Sequence, residues 1–214
     1  MKMTPTQFLL LLSGAILTTQ VGFSAGADEC VDQVNNVITM ENVGDNPINF
    51  NNGTIATYNT TGSPTCYKSE ANLYLPGQIA LLSGNITVTS AMKIVNNSKL
   101  LLSVKKKSWV VGKVCENGKS KKSALVSDDE CSPDLCKYEL GLCQMLEKPG
   151  TYNIADLQSV ANISNIIDLP SPPTGAKTVM KGRWKMTVEL QVGGNQTAFK
   201  VNIPSGDGWL YIEE

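Results

Sequence analysis

The residues with chemistry to offer in this chain are six cysteines, six asparagines in N-x-[ST] sequons and one short run of carboxylates, with no histidine anywhere. The missing imidazole excludes Ser-His-Asp and Cys-His nucleophiles and histidine general-base catalysis. It also removes the usual partner for cysteine at a zinc site, and Cys131 and Cys136 do not have C-x2-C spacing. Asp128-Asp129-Glu130 adjoins Cys131 in a polar stretch and reads as a solvated acidic turn rather than an acid/base pair. No GxGxxG or GxxxxGK[ST] occurs, and Gly193-Gly194-Asn195 reads as a hairpin turn rather than a phosphate cradle. The chain is therefore expected to be non-enzymatic, without cofactor or metal.

Six cysteines (Cys30, Cys66, Cys115, Cys131, Cys136 and Cys143) in a secreted chain imply three disulfides. Six thiols allow 15 pairings, and sequence alone does not choose among them. Cys30 and Cys66 lie far from the other four and are expected to pair, with one bridge inside Cys131–Cys143.

The secretory context has two supports. Lys2 precedes the apolar run Phe8–Leu12 and Ala15-Ile16-Leu17, and Ala25-Gly26-Ala27 offers a small-residue cleavage site, so residues 1–27 read as a signal peptide. That run falls short of the ~20 apolar residues a bilayer span needs. The sequons at Asn52, Asn59, Asn85, Asn96, Asn162 and Asn195 then imply a glycosylated surface. The expected location is extracellular, or the lysosomal or endosomal lumen. Net charge is −1, which gives no reason to expect a nucleic-acid partner.

The elements that must carry these residues read as strands. Val34–Met40 is a first candidate, and Leu73-Tyr74-Leu75 runs into a Pro76-Gly77 turn. Ile86, Val88, Ser90, Met92 and Ile94 alternate with polar neighbours, which predicts a half-buried strand. Leu100–Val104 returns after Asn96-Asn97, Trp109–Val114 follows, and Phe199, Val201 and Ile203 alternate after the Gly193-Gly194 turn. Trp209–Ile212 is expected to add a short edge strand. Phe50–Pro64 is rich in Asn, Thr and Gly and reads as a glycosylated loop or edge. Short strands, frequent turns and no long helix-period segment predict one all-β domain over 28–214, an antiparallel β-sandwich.

The stretch from Lys148 to Leu190 organises the rest. Pro149-Gly150 turns into a strand, Val160, Ile163, Ile166, Ile167 and Leu169 form an apolar crossing, and Pro170, Pro172, Pro173 and Gly175 stiffen a loop. From Thr178 a period of two predicts a long strand with Trp184, Met186, Val188 and Leu190 on its apolar face. So apolar a loop reads as a covered edge or as the lip of an apolar ligand site.

Several short motifs in order carry a resemblance. They are Leu75-Pro76-Gly77, Gly84-Asn85-Ile86-Thr87-Val88, Trp109-Val110-Val111, Gly141-Leu142-Cys143, Pro149-Gly150-Thr151-Tyr152 and Asp168-Leu169-Pro170. Over Leu73–Ile203 the chain resembles the ML lipid-recognition family, most of all its ganglioside GM2 activator branch. The resemblance implies a glycosylated, disulfide-stapled, immunoglobulin-like β-cup that holds a lipid between two sheets and lifts it from membranes. The chain departs from that branch in having fewer cysteines, in Ala198 near a position where the branch has cysteine, and in residues 42–67, which look like an insertion.

The candidate lipid-facing residues are Val88, Met92, Ile94, Leu100, Leu102, Trp109, Val111, Ile163, Ile166, Ile167, Leu169, Trp184, Met186, Val188, Phe199 and Val201. For any one of them plain core packing is the better reading; only the set, together with the resemblance, argues for a cavity. Lys105-Lys106-Lys107 and Lys119, Lys121 and Lys122 read either as solvated turns or as contacts to an anionic leaflet. The expected function is lipid binding, presentation or transfer, the lipid being a glycosphingolipid, phospholipid or similar. The expected partners are that lipid, a membrane met transiently and a lipid-processing enzyme or receptor. The alternative is a secreted adhesion or signalling ligand with a packed, lipid-free core.

Overall fold

A computed structural model describes residues 29–172 and 177–213. The expected signal peptide, with Pro173 and Gly175, lies outside the described residues.

Two β-sheets form the body, and long alternating strands build both. In the first sheet β1 (Val37–Thr39) pairs with β3 (Ile48–Asn59), and β3 pairs along β6 (Gly77–Val88). The other edge of β6 is shared by β10 (Gly150–Asn153) and β11 (Ile166–Leu169). In the second sheet β12 (Gly182–Val192) is the spine, with β7 (Ser98–Lys106) on one side. On its other side lie β13 (Gln196–Ile203) and, farther toward its start, β14 (Leu210–Glu213). Beyond β7 come β8 (Lys113–Glu116) and β9 (Lys119–Ser120). β2 (Glu41–Asn42) pairs with β13. β14 pairs in parallel with β5 (Glu70–Tyr74), which carries β4 (Cys66–Tyr67), so this sheet is mixed.

Among the described residues five short helices complete the fold: α1 (Asp128–Cys131), α2 (Leu135–Tyr138), α3 (Leu140–Leu146), α4 (Ile154–Ala161) and α5 (Lys177–Met180). Asn153 and Asp156 form a capping box that starts α4 ahead of the stretch read as an apolar crossing, and the helix runs into its first residue, Val160. Leu157 and Ala161 on α4 are buried against the core.

Three disulfides tie these parts: Cys30–Cys66, Cys115–Cys131 between β8 and α1, and Cys136–Cys143 between α2 and α3. They fit an oxidising, secreted or lumenal setting. No helix among the described residues is long and apolar enough to cross a membrane.

Several expectations need correction. Residues 50–59 are not a loop or edge, the turn beginning only after Asn59: they belong to β3, an inner strand between β1 and β6. Its asparagines misled because asparagine is poor in strands. Here Asn51 Nδ2 donates across the sheet to Asn85 Oδ1 and Thr87 Oγ1, each at 3.2 Å. The strand expected to reach Ile94 ends at Val88, and Met92 and Ile94 sit in the following turn. Ile94 is nonetheless fully buried, because Glu147 Oε1 accepts from the Ile94 and Val95 amides at 2.9 and 3.0 Å and pins that turn to α3. The first strand is shorter than Val34–Met40, since Val31–Val34 forms a turn. β12 starts at Gly182, after α5, rather than at Thr178. The C-terminal strand is internal, between β12 and β5.

Candidate functional site

The strand alternation decides what faces the space between the sheets. On β12 Trp184, Met186, Val188 and Leu190 point inward, opposite Lys106, Val104, Leu102 and Leu100 of β7. On β13 Phe199, Val201 and Ile203 continue that face, opposite Leu190, Val188 and Met186. The facing sheet contributes Ile48 and Phe50, then Ile55, Ile79, Leu81 and Ile86. Between Phe50 and Ile55 the β3–β6 register slips, with Asn52 at φ 52°. This bulge resets the side chains so that both halves of β3 face inward.

These layers do not close on each other. They leave a cavity of about 440 Å³, covered by Leu135, Leu142 and Leu146 of α2 and α3, Leu157 of α4, and Ile163 and Ile167. Among the described residues Glu139 is the sole charged one in its lining. A second cavity of about 380 Å³ lies farther along β12, lined by Trp184, Met186, Leu102, Val104, Leu210 and Ile212 among others. Ile203 lines both. The stretch of β12 from Trp184 to Leu190 spans about 20 Å at the usual strand rise.

The chemistry of the larger space follows from its lining. A water held inside needs roughly 2–4 polar partners, which a wall of aliphatic and aromatic carbon does not supply. Covering such a wall with apolar matter is favourable by roughly 25 cal/mol for each Å² taken from water, so apolar matter suits this space better than water does.

The smaller cavity is braced by α5. Trp184, 6% exposed, donates its indole N–H to the Met180 carbonyl at 2.6 Å. Lys106 turns inward, stands 5.5 Å from the Trp184 ring centroid and donates to the Val179 carbonyl. Burial lowers the pKa of this ammonium. The Lys105-Lys106-Lys107 run is therefore split by strand alternation: Lys106 is half-buried beside Trp184, and Lys105 and Lys107 are exposed. The second lysine run is partly neutralised, Lys119 by Asp128 at 3.1 Å and Lys121 by Glu116 at 3.2 Å.

Of the sequence candidates, Leu100, Val188, Phe199, Val201, Ile163 and Ile167 line the larger cavity, and Leu102, Trp184 and Met186 the smaller. Val88, Met92 and Ile94 pack in the first core cluster, while Val111 and Leu169 pack against the second. Ile166 is 49% exposed and lines neither space. Trp109 is a correction: it is 97% exposed in the turn between β7 and β8, because the strand stops at Lys106 and Gly112 N–H bonds back to the Ser108 carbonyl. The sequence reading missed Ile48, Phe50 and the helical cover, although the capping box at Asn153 was available as a signal for α4.

Asp128-Asp129-Glu130 opens α1 and serves it structurally. Glu130 completes a capping box with Ser127, and Asp128 accepts from the Ser120 amide and Lys119. Backbone hydrogen bonds lower the pKa of both carboxyls. Among the described residues no group of His, Cys, Asp and Glu has the disposition of a metal site.

No protein-family model matches the chain, and no curated protein matches it. A functional reading therefore rests on the cavities and their chemistry.

Proposed function

We propose that this chain is a lipid-binding and lipid-transfer glycoprotein of the ML type, an immunoglobulin-like β-cup that holds acyl chains between its sheets. The observation that carries the reading is the larger cavity, aliphatic on both sheet faces and under its helical cover. Each buried CH2 contributes about 0.8 kcal/mol, so one chain of ordinary length supplies several kcal/mol after ordering costs. Ile163 and Ile167 form the lip, and Ile167, 39% exposed, meets both solvent and the lining. Lipid is exchanged there during transient contact with a membrane, and the loaded protein presents it to a processing enzyme or receptor. Cargo in this class includes glycosphingolipid and phospholipid.

Native mass spectrometry of protein secreted by a eukaryotic host tests the reading. A retained lipid is expected, and it should be lost in Val188→Phe, which adds a ring to the wall of the larger cavity. A folded wild-type protein that carries no lipid and takes none from vesicles would favour a packed-core ligand instead.

A further inference from the structure

The outer face of the second sheet carries a cluster that the cavity does not use. Lys105 and Lys185 stand directly opposite each other across β7 and β12. Lys107 follows, its amide bonded to the Arg183 carbonyl at 2.8 Å. The ammonium groups of Lys105, Lys107 and Lys185 lie 6.0, 5.5 and 5.5 Å from the Trp209 ring centroid. Among the described residues the one carboxylate paired with any of the three is Asp207, 3.6 Å from Lys185 and itself fully exposed. Elsewhere Lys113, Lys119, Lys121, Lys181 and Lys200 each have a carboxylate within 3.2 Å. Like charges directly opposed on a ladder destabilise it, and the indole face offsets only part of that. Such a concentration of weakly neutralised cation suits an anionic partner.

We propose that the Lys105, Lys107, Lys185 and Trp209 cluster docks the protein onto anionic bilayers. The ammonium groups meet lipid phosphates and carboxylates, and Trp209 sits at headgroup level. A bilayer fits better than a soluble polyanion because the chain runs from Lys107 straight into Trp109 and Val110, 97% and 59% exposed. Apolar side chains beside cations suit charged headgroups above hydrocarbon, whereas a sulfated polysaccharide leaves them in water. The proposal rests on the lipid-handling reading, and it names the kind of membrane that reading requires.

The test is co-sedimentation of the secreted glycoprotein with phosphatidylcholine vesicles, with and without phosphatidylserine, over a salt series. Binding should need phosphatidylserine, weaken with salt and fall on the order of a hundredfold in Lys105→Gln/Lys107→Gln/Lys185→Gln. Near-UV circular dichroism and the lipid retained in native mass spectrometry should not change. If the triple variant misfolds, Lys107→Gln alone should lose about fivefold. Equal binding of the wild type to both vesicles, or undiminished phosphatidylserine binding by the folded variants, overturns the proposal. So does loss of heparin retention with vesicle binding intact, which would make the partner a sulfated polysaccharide. Phosphatidylserine-dependent binding by a protein that retains no lipid leaves the docking surface standing and sinks the lipid-carrier reading alone.

Discussion

The indole N–H of Trp184 donates to the carbonyl of Met180 at 2.6 Å, fastening the end of α5 to the spine strand of the second sheet beside the smaller cavity. Replacing Trp184 with Phe keeps most of the ring's apolar contact and deletes this bond. A cost of about 1 kcal/mol is expected, which lowers Tm by about 2–4 °C. Thermal unfolding followed by circular dichroism measures it. An unchanged Tm would mean the bond contributes nothing to stability.

Ile167 and Leu169 sit two apart on β11, yet only Ile167 lines a cavity, and Leu169 packs against the second core cluster. Under the proposed lipid-carrier function, Ile167→Asp puts a carboxylate at the lip through which an acyl chain would pass, so vesicle-to-protein lipid transfer should drop at least tenfold with secretion preserved. Leu169→Asp should instead reduce secretion, because it buries charge in the core. Labelled-lipid transfer and secreted yield, measured on both variants, separate the two roles.

The Glu147 carboxyl accepts from the Val95 and Ile94 amides, and those bonds hold its pKa below the usual glutamate range. A depressed folded pKa contributes stability that is complete at neutral pH and fades as pH falls through the lowered value. Glu147→Gln should therefore unfold at lower temperature than the wild type at neutral pH, with the gap closing in acid. A gap that is constant across pH would show that the charge contributes nothing.

Sequons differ in what their asparagines are doing. Asn52, Asn96, Asn162 and Asn195 are exposed, and Asn162 is the left-handed cap of α4. Asn59 is half-buried, and its side-chain oxygen accepts from the Thr61 amide and hydroxyl and from the Ser63 amide. Peptide mapping after enzymatic deglycosylation should find asparagine converted to aspartate at the four exposed sites and not at Asn59. A glycan at Asn59 would show that this turn is remodelled in the secreted protein.

What the sequence determined by itself is local. The β12–β13 hairpin is legible because Gly193-Gly194 and a period of two over its strands fix turn and faces within about twenty residues. The inward set Trp184, Met186, Val188, Phe199 and Val201 follows from that alternation alone. An even cysteine count gave three bridges, because it depends only on redox context. Tertiary structure decided everything that needs a distant partner. Phe50–Asn59 became an inner strand because β6 lay alongside to pair with it and to bond Asn51 through Asn85 and Thr87. Trp109 went to solvent while Trp209 gathered three lysines, a difference made by where β7 ends and where β14 docks. Two of the three disulfides fell inside the clustered half, in a pairing the helices α1–α3 set. The cavities too are non-local: one-dimensional pattern names the faces that turn inward, and only the separation of the two sheets fixes whether side chains fill the space between them.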